Sequence, residues 1–149
     1  MSIKIMEEQL EAKINNRSMP PSSVIPVLTC RDFDGAIFWL CDRFGFRERW
    51  RVGEHRAQLT FGTSTIVVTK QATDLEIHNS AMLVRVDDVM EHFKQLRDKG
   101  VTVLRAPQVF PYGEMQYTVE DPEGTVWTFS ESVKDVLPEE WGGISSNLD

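Results

Sequence analysis

From residue 24 onward, stretches in which apolar and polar residues alternate give way to a three-to-four-residue spacing and back again, and the whole order then recurs. VIPVLTC (24–30) alternates and reads as a strand, with Ile25, Val27 and Thr29 on one side and Cys30 on the other. Asp32 supplies a helix-capping oxygen, and Ile37, Leu40, Cys41 and Phe44 follow at helical spacing until Gly45 stops the helix. FRERWRV, RAQLTFG and TSTIVVTK are then three strands, separated by the turns VGEH and FGTS. The second copy starts with the strand AMLVRV (81–86). Asp88 caps a helix with Val89, Phe93 and Leu96 on one face and Gly100 at its end, and the strands VTVLRAP, EMQYTVED and TVWTFSE follow.

The order strand–helix–strand–strand–strand therefore occurs twice, in modules at residues 24–70 and 80–132, joined by QATDLEIHN (71–79). This is an α+β chain. A four-stranded sheet with one helix covers only one of its faces, so two such sheets, concave sides inward, are expected to enclose a cavity. Residues 3–15 have Ile3, Met6, Leu10 and Ile14 at helical spacing. The prolines of MPPSS end that helix and make residues 1–23 a helix and linker ahead of the domain at 24–132. The tail, 133–149, is polar around a single Trp and is expected to wrap the outside or fray.

At 149 residues the chain is long enough for one domain with a core. Its net charge of −7 argues against nucleic acid and anionic membranes, which need a basic footprint. No apolar run approaches the ~20 residues of a membrane span, and the early acidic residues do not suit a secretory leader, so a cytoplasmic location is expected. Cys30 and Cys41 are too far apart for a CxxC motif and are expected to be free buried thiols. There is no phosphate loop, no dinucleotide glycine motif and no Ser-His-Asp pattern.

PVLTCRDFDGAIFWLCDRFGF and PYGEMQYTVEDPEGTVWTF, in which YG precedes one strand and DPxG the last, resemble the vicinal oxygen chelate superfamily: glyoxalase I, extradiol dioxygenases, and fosfomycin- and bleomycin-resistance proteins. The first stretch is most similar to the bleomycin-resistance-like branch, and the tail segment LPEEWGG resembles the tails of other glyoxalase-like proteins. The resemblance implies paired βαβββ modules around a cavity and a homodimer. In metal-dependent members it implies one His or Gln on the first strand and one Glu on the last strand of each module. Those positions lie seven residues before each capping Asp and seven after the Asp of DPxG. Here they hold Ile25, Ala81 and Thr128, with Val67 at the matching place in the first module. Alkyl groups do not ligate metals, and a register shift of one residue brings in no better ligand. Neither metal nor other cofactor is therefore expected.

The resemblance then implies binding of a small amphipathic molecule. Ile25, Val67, Ala81 and Leu83 would supply apolar surface, and Gln116, Thr118, Thr128 and Ser130 hydrogen bonds. Related sequences often carry Arg-Glu where this chain has Met115-Gln116, which makes the wall more neutral. Arg85 is the one charge on the inward side of its strand, either salt-bridged to Glu120 or another carboxylate or anchoring an anionic group. Trp50 lines a pocket mouth or lies under a partner subunit. Of the histidines, His55 falls in a turn, His78 in the connector and His92 on the polar side of the second helix. The competing class is a metal-dependent lyase, isomerase or dioxygenase that recruits His78 or a loop Glu. A third class is a regulatory module whose cavity is filled by side chains.

Overall fold

The computed structural model describes residues 15–71 and 81–148. The helix expected over residues 3–15, apart from its last residue, and His78 lie outside them. Two four-stranded sheets are present. The first module runs β1 (Val27–Cys30), α1 (Phe33–Trp39), β2 (Arg47–Val52), β3 (Arg56–Phe61) and β4 (Ser64–Lys70). The second runs β5 (Met82–Arg85), α2 (Val89–Asp98), β6 (Thr102–Val109), β7 (Glu114–Glu120) and β8 (Val126–Ser132). The sheet orders are β1-β4-β3-β2 and β5-β8-β7-β6. The first and last strands of each module pair in parallel, and the remaining pairs are antiparallel.

Local chemistry sets the helix boundaries. The Asp32 carboxylate accepts from the Gly35 amide at 3.1 Å and that of Asp88 from the Glu91 amide at 3.0 Å, satisfying donors the first turns leave free. α1 continues as a π-helical turn over Leu40–Phe44, and Gly45, at φ 82°, ends it in the left-handed conformation. Strand β1 is shorter than the alternation of 24–30 suggests, because pairing with β4 begins at Val27.

The two modules share one apolar core on the side of the sheets that carries the helices. Leu28, Cys30, Leu59, Ile66 and Val68 of the first sheet join Tyr117, Val119, Trp127 and Phe129 of the second, with Ile37, Leu40, Phe44, Val89 and Leu96 from the helical segments. The Phe44 ring lies edge-on to Trp127 at 5.1 Å and to Phe129 at 5.2 Å, so the end of the first module's helix packs into the second module. Edge-to-face pairs of this kind add about 0.5–1.5 kcal/mol each beyond the area they bury. Glu123 strengthens the junction by accepting from the amides of Arg31 and Asp32.

This arrangement corrects one expectation. The sheets of a single chain meet through their helix-packed sides, and the helix-free side of the second sheet stays open: Leu83 on it is 65% exposed. The reason lies in the aromatic residues. Trp127, Phe129, Phe44 and Phe46 bury most area when the helix-packed sides meet.

Candidate binding site

The strand register makes the two modules superimposable. Val27 and Leu83 each precede their capping aspartate by five residues; Val27 pairs with Val67, and Leu83 pairs with Thr128. Val67 and Thr128 are therefore equivalent, as the sequence spacing implies. Gln58 and Thr118, their partners on β3 and β7, are equivalent in turn.

The two helix-free faces are nevertheless different. On the first, the chain's own residues 17–22 lie across the sheet. The Trp50 indole donates to the Ser18 carbonyl at 2.9 Å, and Arg49 donates to the Arg17 carbonyl at 2.6 Å and also to the Gln58 side chain. Ser22 donates to the Thr63 carbonyl at 3.2 Å. Gln58, Thr65 and Val67 are buried on that side. Trp50 thus sits mid-strand beneath its own N-terminal segment, while Ile25, half-buried, precedes β1. Val67 and Trp50 lie on this covered face, apart from Gln116, Thr118, Thr128 and Ser130, with which they were expected to share one cavity.

The second face gathers the remaining candidates. A cavity of about 670 Å³ is lined by Ala81, Met82, Leu83, Tyr112, Glu114, Gln116, Thr128 and Trp141. Its floor is a hydrogen-bonded relay. Tyr112 OH donates to Gln116 Oε1 (2.8 Å), Gln116 Nε2 to Ser130 Oγ (2.9 Å) and Ser130 Oγ to Glu114 Oε1 (2.7 Å). Thr118 and Thr128 share one hydrogen bond at 3.0 Å. Arg85 reaches the Ser132 hydroxyl at 3.3 Å, not Glu120, and lines a separate apolar groove of about 660 Å³ between the modules, together with Phe61, Ile66, Met82, Leu83 and Trp127.

Glu114, Tyr112 and Trp141 were missed as site residues. Strand alternation could have found Glu114, which shares a face with Gln116 and Thr118. Trp141 comes from the tail, part of which is held against the second sheet. The amides of Val133 and Lys134 donate to the Gly113 carbonyl (2.9 and 3.2 Å), and a short 3₁₀ turn, Pro138–Trp141, brings the indole within 5.7 Å of Tyr112.

His92 departs from expectation too. Its ring is half-buried against Phe129 at 4.2 Å and its Nδ1 meets the Tyr117 hydroxyl, so it faces the core. Burial, aided by Lys99, lowers its pKa, and burial raises that of Tyr117. Cys30, whose thiol donates to the Thr69 carbonyl at 3.4 Å, is pushed up to about 12 by burial, with Glu123 and Asp32 adding to the effect.

The residues do not fit a metal. Ile25, Val67 and Ala81 offer no donor atom, and the hydroxyl of Thr128 is engaged by Thr118. Among the described residues no three His, Cys, Asp or Glu side chains gather to hold an ion.

Paired βαβββ modules with an open polar face define a cavity-forming protein of the glyoxalase type. The family profile of the Glyoxalase/Bleomycin resistance protein/Dioxygenase superfamily matches residues 24–129, and the chain belongs to that superfamily. Among solved structures it is similar to TioX from Micromonospora sp. ML1, with 28% identity, a TM-score of 0.63, and 74% of this chain and 98% of that one covered. A lactoylglutathione lyase from Agrobacterium tumefaciens shares the fold at 18% identity (TM-score 0.61; 83% and 99% covered). So does a glyoxalase/bleomycin resistance protein/dioxygenase from Nocardioides at 14% (TM-score 0.62; 99% and 100% covered). The search of curated proteins finds no match. Among the described residues no helix is long and apolar enough to cross a membrane.

Proposed function

We propose that this protein binds a small amphipathic molecule, without a metal, over the helix-free face of its second sheet. The observation that carries this reading is that the positions implied for metal ligands hold Ile25 and Val67 in the first module and Ala81 and Thr128 in the second, the latter two lining a cavity that is open and partly polar. Such a wall holds a ligand by apolar contact and a few fixed hydrogen bonds, as small-molecule pockets do. Drug or toxin sequestration is the activity that fits. A homodimer, which the resemblance to the superfamily implies, is part of the proposal.

Elemental analysis of the purified, untagged protein, with thermal shifts in Ni, Zn, Mn and Fe salts, tests the metal-free reading. An ion that binds only the folded state raises the melting temperature by mass action. No stoichiometric metal and no shift are expected. One equivalent of metal, or a clear shift with one ion, would overturn the reading and direct attention to His78.

A further inference from the structure

The relay on the second sheet has a direction. Each step from Tyr112 through Gln116 and Ser130 hands a proton donor forward, and the chain terminates on Oε1 of Glu114. A carboxylate at the end of aligned donors is fixed in place and keeps its second oxygen for something else. Among the described residues no donor is bonded to Oε2 of Glu114, and no Lys or Arg lines this cavity. Arg85, on β5 and separated from Glu114 by β8, donates to Ser132 and forms no ion pair with Glu114.

Aromatic rings frame the same carboxylate. Phe110 and Tyr112 stack at 5.2 Å with planes 10° apart, and the Trp141 indole closes on Tyr112 at an angle of 65°. A cation already uses one end of this array: the Arg105 guanidinium lies 6.0 Å over the Phe110 ring. At the other end Tyr112 and Trp141 line the cavity with Glu114. Ring faces attract cations through their quadrupole, and a fixed carboxylate gives such a cation its counter-charge and a hydrogen-bond acceptor.

Resting on the binding reading above, we propose that the ligand is an organic cation: a protonated amine seated on Glu114 between Tyr112 and Trp141, with its apolar body against Ala81, Met82 and Leu83. The chain's net charge of −7 favours the approach of such a molecule.

Calorimetry with three probes of one shape tests this: 2-(1-naphthyl)ethylamine, the neutral 2-(1-naphthyl)ethanol and 1-naphthylacetate. The amine is expected to bind about tenfold more tightly than the alcohol, and the acetate more weakly than either. In Glu114→Gln, which keeps an acceptor for Ser130, the advantage of the amine over the alcohol should disappear. Trp141→Leu should weaken the amine more than the alcohol, and this second variant still decides the matter if the first does not fold. Equal binding of amine and alcohol to the wild type, or a preference that survives both substitutions, would overturn the cation assignment and leave the binding reading standing. Failure of all three probes to bind would overturn both.

Discussion

The Trp127 indole donates to Oδ2 of Asp121 at 2.9 Å, while Oδ1 of the same carboxylate accepts from the amides of Glu123 (2.8 Å) and Thr125 (3.0 Å). The aspartate of the DPEG turn thus fixes the turn and the largest buried side chain of the core together. Burial raises the carboxyl's pKa, and the three donors work against that rise. Asp121→Ala leaves a buried indole N–H and two turn amides without their acceptor. A loss of about 2–4 kcal/mol is expected from hydrogen bonds to a charged group. Chemical denaturation measures it; a loss below about 1 kcal/mol would show that the turn stands without this carboxylate.

Acid should destabilise the fold through His92. Its folded-state pKa lies below the ordinary value, so the unfolded chain binds the proton more readily. The stability it contributes is present above the unfolded pKa and is lost as pH falls through the folded one. Melting temperatures recorded from pH 7.5 to 5 should decline in the wild type and decline less in His92→Gln. Parallel profiles would exclude His92 as the source.

Gly113 is expected to tolerate no side chain. It sits at φ 83°, and a Cβ there would lie 2.3 Å from the Lys134 carbonyl oxygen. Gly113→Ala combines left-handed strain of about 1–2 kcal/mol with a clash against backbone. The tail should detach, taking Trp141 from the cavity, and limited proteolysis after residue 133 should accelerate. Unchanged cleavage would show that the tail is held elsewhere.

Cys30 should be inert in the native protein. With its pKa near 12 and its side chain buried, almost no thiolate exists at pH 8. A thiol-reactive probe should label Cys30 only as fast as the chain unfolds, as mass mapping of the labelled peptides would reveal. Labelling at the rate of a free thiol would contradict its burial.

Trp50→Phe removes the donor to the Ser18 carbonyl and keeps the ring. About 1 kcal/mol of local stability should go with it, since one neutral hydrogen bond is lost. Hydrogen exchange in a peptide covering residues 15–23 should accelerate several-fold while the β4 peptide keeps its protection. No change in the first peptide would mean that the segment does not depend on Trp50.

Much of the fold was legible because it is written locally. Asp32, Gly45 and Asp88 mark helix ends by their own chemistry, and strand alternation in TVWTFSE separates Trp127 and Phe129 from Thr128. The way the modules meet was not legible, since the edge contacts of Phe44 with Trp127 and Phe129 join residues more than eighty positions apart. The site was half legible for the same reason. Gln116, Thr118, Thr128 and Ser130 share a face by strand period alone. Trp141 arrives by a turn in the tail, and the covering of Trp50 and Val67 depends on where residues 17–22 lie, which no periodicity reports.

Residues 17–22 also set the terms on which the first sheet could bind anything. They are joined to β1 by only a few residues, so the chain supplies its own competitor at an effective concentration of order millimolar, whatever the amount of protein present. A solute that prefers the first face must outbid a tethered rival that dilution never removes, whereas one that prefers the second face meets no such rival among the described residues. Two copies of one architecture are thereby made unequal by connectivity as well as by their wall residues, and partitioning between them can be shifted by changing the length of that tether without altering a single wall residue.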